Sequence, residues 1–532
     1  MTSQETNSLD TIRNTCIKSV NSIIDANASN EYALQRIMKY CTELMPNAVE
    51  TSIKLRDERE QRNNELKYRS EEFINHFFNA NVQYYYLSVP ELYIMCINDT
   101  YEPTDEDEIS YSVLSSLSKD HTLRVWKHKI KTQILRQIRQ TKITDVIPSS
   151  TTIQSVIRSI YPSVFQSRTE AKYFLTILGD CLVKKDTNLT YFIHPRAKKF
   201  ITYIVNNLTA IVGNNASPIS TAFKFKYCNH SLTDCRLLRV QGYGNTLLCP
   251  QVKALDLFFV SQYYSERYSS ADKFLAQCPL ESPVQHARYF ITHTKQDCVE
   301  HFYNNVIEKT ETKLTPYVNN RNVHFIWKRF LEMNQIPNVL LNRELLPSLL
   351  VIPELKESYK DDTFTCYTSK LLPTIDLFMT FWENTIHIGK QDEPNSPNSQ
   401  TDHGEFQQLE IDEITYLFGS WVRSRTNNAS VSTNAIIDDE MALALIRHFY
   451  PDITVEHDKF IYDITCSLWD KEKDVTDFIE SYIVETKVIN ADKVITIDDA
   501  YKLYCNARRT EGPCLANKQY FERIYQDITM SS

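Results

Sequence analysis

The stretch WKHKIKTQILRQIRQTK, residues 126–142, has the apolar spacing of an amphipathic helix. Its side chains Trp126, Ile130, Ile134 and Ile138 recur every four residues, which places them on one side of a helix that turns about 100° per residue. The stretch contains no Asp or Glu, although the whole chain carries a formal net charge of −9. The pattern predicts a helix with one side in a core and a strongly positive opposite side.

Glycine is scarce throughout the chain, with 8 residues in 532. Phosphate-binding loops and dinucleotide-binding turns need glycine, and neither G-x-x-x-x-G-K nor G-x-G-x-x-G occurs. Few glycines together with long amphipathic segments are typical of helical proteins, and a chain of this length exceeds a single core. We therefore expect a mainly α, multi-domain fold with small β-hairpin or winged-helix-like elements as a minor α+β part.

Changes in composition and periodicity divide the sequence into five regions. The aromatic segment VQYYYLSVPELYIM and the segment NLTYFI are typical of strands, and the polar segment GKQDEPNSPNSQTDHGEF is typical of a linker. The predicted regions are an N-terminal helical region at 1–80, an α+β region with the basic helix and a winged-helix-like unit at 81–250, a helical middle domain at 251–388, a flexible linker or loop at 389–406, and a C-terminal helical domain at 407–532 that ends in a helix-turn-helix-like pair.

Lysines and arginines cover the polar side of the predicted helix and its two ends. We call this set the basic face; its members are Arg124, Lys127, Lys129, Lys131, Arg136, Arg139 and Lys142. Such a surface can contact several phosphates and bind nucleic acid in a salt-dependent, sequence-independent way. The alternative is a solvated helix whose charges balance acids elsewhere, such as the DEDE run at 105–108, which with Thr104 also has the composition of a helix start.

The C-terminal segment 496–528 predicts two short helices joined by a Gly-Pro turn. Thr496 and Asn517 have the side chains that begin helices, and the intervening sequence TEGPCLA is typical of a turn. The pair resembles a helix-turn-helix unit, which is a second candidate for contact with DNA or RNA. Its basic residues would be Arg508, Arg509, Lys518 and Arg523.

Catalytic and metal-binding patterns are not readable in the sequence. It lacks H-E-x-x-H and a local Ser/His/Asp or Cys/His nucleophile pattern, although such sites are also assembled from distant residues. The series Cys228-x-His230-x4-Cys235, with Cys249 beyond, matches no common zinc spacing, so separate thiols are the favoured interpretation. We expect a non-enzymatic protein with no catalytic residues, no metal and no cofactor. The absence of a long apolar run or a secretion signal predicts an intracellular protein without a membrane partner.

Three segments resemble proteins of nucleocytoplasmic large DNA viruses (giant viruses), a group that is itself uncharacterised. They are WKHKIKTQILRQIRQTKITDVIPSSTTIQSVIRSIYPSVF, EAKYFLTILGDCLVKK and LIRHFYPDITVEHDKFIYDITCSLWDK. The terminal DDAYKLYCNARRTEGPCLANKQYFERI also resembles the winged C-terminal domain of poxvirus-type primase–helicases, but the ATPase core of that family needs a glycine-rich phosphate loop that is missing here. The resemblance implies a viral factor that acts on nucleic acid in the host cytoplasm (the viral factory) or in the virion, and not a motor.

Two non-enzymatic functions follow from these observations, and an enzyme whose site is assembled from distant residues is the third hypothesis. The first is a non-enzymatic viral accessory factor that binds DNA or RNA in replication, transcription or genome handling. The second is a helical interaction scaffold or adaptor for viral translation or transcription machinery, which scarce glycine and amphipathic helices suit equally well. Viral replication, transcription or translation proteins would then be its partners.

Overall fold

Helices dominate the structure, a computed structural model, and the prediction of a mainly α, multi-domain fold with small β elements is confirmed. The residues that the structure describes are 3–80, 82–183, 188–241, 252–310, 317–388, 408–425, 437–489, 496–511 and 514–531. The linker predicted at 389–406 and the Gly-Pro turn at 512–513 lie outside these residues.

Helices and strands occur in runs along the chain. The helices are α1 (Ser3–Ala26), α2 (Glu31–Lys39), α3 (Met45–Phe78), α4 (Glu106–Leu117), α5 (Lys127–Gln140), α6 (Ser150–Ile160), α7 (Arg168–Leu182), α8 (Lys198–Val212), α9 (Ser217–Ala222), α10 (Ala254–Tyr268), α11 (Ala271–Gln277), α12 (Tyr289–Thr292), α13 (Lys295–Val306), α14 (Asn320–Asn334), α15 (Asn342–Leu349), α16 (Pro353–Ser358), α17 (Leu372–Thr385), α18 (Ile411–Arg425), α19 (Asp439–Phe449), α20 (Lys471–Ile489), α21 (Ile497–Glu511) and α22 (Lys518–Ser531). The strands are β1 (Gln83–Leu87), β2 (Leu92–Ile97), β3 (Thr100–Thr104), β4 (Thr190–Ile193), β5 (Phe223–Lys224), β6 (Cys235–Leu238), β7 (Glu308–Lys309), β8 (Val318–Asn319), β9 (Tyr359–Lys360), β10 (Thr363–Phe364), β11 (Tyr367–Thr368), β12 (Ile386–Ile388), β13 (Leu409–Glu410), β14 (Val455–Glu456), β15 (Phe460–Ile461) and β16 (Ile464–Cys466).

The chain forms two compact units. Unit 1 comprises Met1–Val156, Leu208–Asn214 and Val252–Tyr263, and unit 2 comprises Ile157–Asn207, Asn215–Gln251 and Tyr264–Ser532. Each unit combines segments that are distant in sequence, so apolar periodicity alone does not reveal either one.

Unit 1 packs helices against a three-stranded antiparallel meander in the order β1-β2-β3. The first hairpin pairs Gln83 with Cys96 and Leu87 with Leu92, and it confirms that the aromatic segment forms strands. Its core is contributed by the C-terminal end of α3, by β2, by α4, by α5 and by the turn before α5. The buried side chains of this core are Ile74, Tyr93, Ile109, Val113, Leu117, Leu123, Ile130, Ile134, Leu135 and Ile138.

Unit 2 holds a larger, aromatic-rich core. Its small antiparallel sheets have the orders β8-β10-β9, β11-β7, β12-β16 and β13-β15-β14, and helices pack around them. On α17 and α18, for example, the rings of Phe378 and Phe381 lie 5.4 and 5.5 Å from that of Phe418. Edge-to-face contacts of this kind are common in aromatic cores.

The sheet β5-β4-β6 of unit 2 differs from the sequence prediction. The strand expected at NLTYFI is confirmed as β4, but β4 pairs in parallel with both neighbours, with Ile193 opposite Leu238 of β6. A wing is an antiparallel hairpin, so these strands do not form the winged-helix-like unit predicted here. Helices α8 and α9 follow β4, and such crossovers join parallel strands, whereas a short turn joins a hairpin.

Candidate nucleic-acid interface

The helix α5 is fixed to unit 1 by its apolar side. Ile130, Ile134 and Ile138, the stripe expected from the sequence, are buried, as is Leu135. Trp126 is half-buried and packs against the same core. The predicted single helix is shorter in the structure, because Leu123–Trp126 forms a 3-10 turn and Thr141 is already extended. The stripe fixes the rotation of α5, and therefore the direction in which its polar side chains point.

Most of the basic face points to solvent. Arg124 lies on the 3-10 turn, Lys127, Lys129 and Arg136 lie on α5, and Lys142 follows the helix; all five are exposed. Lys131 is half-buried, so its contribution is smaller than the sequence predicted. The ammonium nitrogen of Lys129 lies 3.9 Å from the centre of the Trp126 ring, which orients this cation.

Arg139 is the member of the basic face that is held by unit 1 itself. Its Nε donates to the hydroxyl of Tyr93 at 2.6 Å, and its Nη2 lies 2.5 Å from Oε2 of Glu106. The hydrogen bond to Tyr93 and the nearby carboxylate raise the pKa of Arg139. Glu106 belongs to the DEDE run. For Arg139, therefore, the alternative interpretation holds, in which acids of this run balance the charge of the helix.

The acids of the DEDE run serve the start of α4. Asp105 is its N-cap and accepts from the backbone N–H of Glu108 at 2.7 Å, while Thr104 donates to the Glu108 carboxylate at 2.6 Å. The helix start predicted from this composition is confirmed, with Asp105 in the capping position expected of Thr104.

The other six cations of the basic face have no acidic contact partner among the described residues. Within the described part of the chain, none of them has a carboxylate oxygen within 4.0 Å; they are Arg124, Lys127, Lys129, Lys131, Arg136 and Lys142. An uncompensated cluster attracts anions from solution, and this attraction weakens as salt screens it.

The C-terminal candidate has the predicted helices, α21 and α22. The caps are confirmed, since Thr496 accepts from the N–H of Asp499 at 3.3 Å and Asn517 accepts from the N–H of Tyr520 at 2.7 Å. A third helix, α20, packs against both, through side chains that include Phe478 and Phe521.

Two of its four basic residues are already paired with acids. Arg508 is half-buried and lies 2.8 Å from Asp474, and Lys518 lies 2.5 Å from Asp498. Arg509 and Arg523 are exposed, and Arg523 lies over the ring of Tyr520 at 5.1 Å. This surface therefore offers fewer uncompensated cations than the basic face.

The cysteines of the series Cys228-x-His230-x4-Cys235 differ in their exposure. Cys235 is buried and donates to the carbonyl of Ser231 at 3.1 Å, Cys228 is exposed, and Cys249 lies outside the described residues. No cluster of three or more His, Cys, Asp or Glu side chains suited to a metal occurs among the described residues. No described helix combines the length and the apolar character needed to cross a bilayer.

A polar pocket in unit 2 was not predicted from the sequence. Its lining residues are Gln166, His194, Arg196, Arg239, Val240, Arg329, Glu332, Met333, Gln335 and Glu440. They come from distant segments, and Arg196 and Glu440 alone are separated by 244 positions, so no local pattern could have identified them.

The geometry of α5 supports attraction of a polyanion. No family model, no curated protein and no solved structure matches the chain.

Proposed function

We propose that the chain is a non-enzymatic nucleic-acid-binding protein whose basic face contacts phosphates. The observation that carries this proposal is the set of six cations on and beside α5 that have no acidic contact partner among the described residues. Lysine and arginine side chains in such a set replace the counterions of a nucleic-acid backbone, and the release of those ions favours binding.

The fixed rotation of α5 supports the proposal further. Ile134 has no exposed surface, so the helix cannot turn its cations away from solvent without exposing apolar area. A helix that is already fixed does not have to be ordered on binding, which leaves more of the electrostatic attraction as affinity. The array has no hydrogen-bonding pattern aimed at bases, so we propose contact with phosphates of DNA or RNA without sequence preference.

The setting that we propose is the one implied by the resemblance to giant-virus proteins. In it, the chain acts in replication, transcription or genome handling in the host cytoplasm. The C-terminal residues Arg509 and Arg523, which are exposed, would add weaker contacts.

Neutralising three exposed cations tests the proposal. In a variant with Arg124→Gln, Lys127→Gln and Arg136→Gln, affinity for short DNA and RNA should fall roughly 10- to 100-fold at low salt. The slope of log affinity against log salt should flatten by up to about 0.9 per lost duplex contact. Fluorescence anisotropy of labelled single- and double-stranded probes, titrated between roughly 50 and 200 mM salt, measures both quantities.

A matched control comes from α3. Lys54, Arg56 and Arg59 are exposed and have no carboxylate within 4.0 Å among the described residues, so three glutamine substitutions there change the net charge equally. We expect the control to bind like the unaltered chain. Equal affinities for the variant and the unaltered chain, or an equal loss in the control, would refute phosphate contact by the basic face.

A second candidate function, the interaction scaffold, is favoured by the N-terminal helices. Apolar side chains of α1–α3 stay exposed in the structure, among them Leu9 at 67%, Tyr32 at 71% and Met38 at 62%. Where such exposed side chains lie side by side, they mark a protein-interaction site.

Deleting residues 1–39 separates the scaffold from the nucleic-acid binder. No side chain described on α1 or α2 is buried, so the unfolding free energy of the remaining chain should change by less than about 0.5 kcal/mol. If the scaffold function holds, affinity capture after nuclease treatment recovers partners with the full chain and loses them with the deletion. Recovery of the same partners with both chains would contradict a role for these helices.

A further inference from the structure

The polar pocket of unit 2 lies where its parallel strands end. His194 directly follows β4 and Arg239 directly follows β6, and the last residues of these two strands, Ile193 and Leu238, are opposite each other. The carboxyl ends of parallel strands are the usual place for ligands in sheets of this kind, because the connecting loops open a crevice there. The position of the pocket is therefore one that the topology itself provides.

Three arginines and two glutamates line this pocket, and their pairing is unequal. Arg196 is ion-paired with Glu440, and Arg329 lies 2.9 Å from Glu332 and 3.7 Å from Glu440. The two carboxylates are thus shared between two of the arginines. The third arginine, Arg239, has no carboxylate within 4.0 Å among the described residues, so its positive charge is not neutralised by an ion pair.

Arg239 is half-buried, which makes its lack of a partner significant. Burial lowers the pKa of Arg239, and the carboxylate of Glu170 opposes this from beyond contact distance. A guanidinium stays charged at neutral pH and offers five N–H donors. A partly desolvated charge without a partner costs free energy, and this cost is offset when an anion enters.

Arg239 lies beside a neutral imidazole and a hydrogen-bonded backbone segment, neither of which neutralises its charge. His286 is its neighbour, and burial together with the positive charge of Arg239 lowers the pKa of His286 to about 3, so this imidazole is neutral. The adjacent backbone is fixed, since Gln335 accepts from the N–H of Val240 at 2.8 Å and donates to its carbonyl at 2.7 Å.

We propose that this pocket binds a small oxyanion ligand, a carboxylate or a phosphate monoester, with Arg239 as its principal contact. The cavity volume of about 240 Å³ is below the roughly 300–1,000 Å³ of pockets for drug-sized ligands, so the ligand is a small metabolite. The planar fork of a guanidinium matches two oxygens of either group. Val240 and Met333 supply an apolar wall for the rest of the molecule.

Calorimetric titration of the full chain with three probes tests the proposal. The probes are inorganic phosphate, glycerol 3-phosphate and succinate, each at matched ionic strength in chloride, and their relative affinities distinguish a phosphate site from a carboxylate site. Saturable binding of at least one probe is expected, and Arg239→Gln should weaken it at least tenfold. Because Arg239 has no described ion-pair partner, its replacement should not lower the thermal unfolding temperature.

Two further variants make the result decisive. Gln166→Glu places an acid at the rim on an exposed side chain, and it should weaken the same probe several-fold without touching Arg239. Arg343→Gln removes an exposed arginine of α15 that does not line the pocket, and it should bind as the unaltered chain does. No saturable binding of any probe, or wild-type affinity in Arg239→Gln, overturns the proposal.

Discussion

Replacing Lys471 with methionine should lower the free energy of unfolding of unit 2 by about 3–5 kcal/mol, which is the cost of breaking a buried ion pair from one side. Lys471 has no exposed surface, and its Nζ lies 2.7 Å from Oε1 and 2.9 Å from Oε2 of Glu413, which is itself buried. The same ammonium donates to the carbonyl of Gln408 at 3.1 Å and lies 4.4 Å from the centre of the Tyr520 ring.

The loss of unfolding free energy is large because methionine leaves the Glu413 carboxylate buried without its ammonium partner. The intact pair offsets the desolvation of two charges by their attraction and by hydrogen bonds. Without the ammonium, the Glu413 carboxylate stays buried with one described donor, the N–H of Glu410 at 2.9 Å. Because Lys471 begins α20, Glu413 belongs to α18 and Tyr520 to α22, the substitution loosens three helices at one point.

The stability lost in Lys471→Met should increase as the pH rises. Burial raises the pKa of Glu413 to about 7 from an ordinary value of 4.5, and the Lys471 ammonium opposes this rise. A carboxyl group whose pKa is raised on folding favours the folded state below its unfolded pKa, and this contribution is lost as pH rises through the folded pKa. Removing the ammonium raises the folded pKa further, so the deficit of the variant should be smallest near pH 5 and largest near pH 8.

Urea unfolding followed by tryptophan fluorescence measures this difference. Of the 5 tryptophans, Trp327, Trp382, Trp421 and Trp469 belong to unit 2, so the signal reports mainly on that unit. The double variant Lys471→Met with Glu413→Gln is the control, because the amide oxygen can still accept from Glu410 and no charge remains. It should recover most of the lost stability. A deficit in Lys471→Met below about 1 kcal/mol, or one that shrinks as pH rises, would contradict this account.

Local features of the fold were predictable from the sequence. The helix start at 104–108 follows from acids and a hydroxyl at one end of an apolar-periodic segment, and the structure uses Asp105 for it. The stripe of Ile130, Ile134 and Ile138 follows from spacing alone, since only one side of a helix can face a core. In both cases the cause lies within a few residues of its effect.

Features that depend on distant partners were not predictable. Arg136 and Arg139 have similar sequence neighbours, but only Arg139 contacts Tyr93 and Glu106. These two partners lie 46 and 33 positions away in the sequence. The strand β4 was identifiable from its β-branched and aromatic residues, but its parallel pairing with β6 depends on the crossover between them. The pocket around Arg239 has the same origin, because its lining residues come together only when unit 2 has folded.

The prediction with the next largest effect concerns the attachment of α5. Ile134→Ala should reduce the stability of α5 by about 2–5 kcal/mol, because it removes buried methyl groups and leaves a cavity in the core of unit 1. Ile134 has no exposed surface and packs with side chains of the cluster that includes Val113 and Ile138. Hydrogen exchange of peptides covering α5 measures this locally, so unfolding of unit 2 does not obscure it. Gln133→Ala, at the exposed neighbouring position, is the matched control and should leave exchange unchanged.

This substitution also separates the charge of the basic face from the stability of its support. Ile134→Ala keeps every cation of the basic face, and a domain that retains a few kcal/mol of stability is still folded in nearly all molecules. Its affinity for nucleic acid should therefore fall by less than about twofold at temperatures well below unfolding, in contrast to the loss on neutralising Arg124, Lys127 and Arg136. If Ile134→Ala loses as much affinity as the charge variant while unit 1 remains folded, the binding depends on the fine placement of α5 and not mainly on counterion release. If it binds normally and the charge variant does not, the electrostatic mechanism stands, and the isoleucine stripe acts only to present the cations.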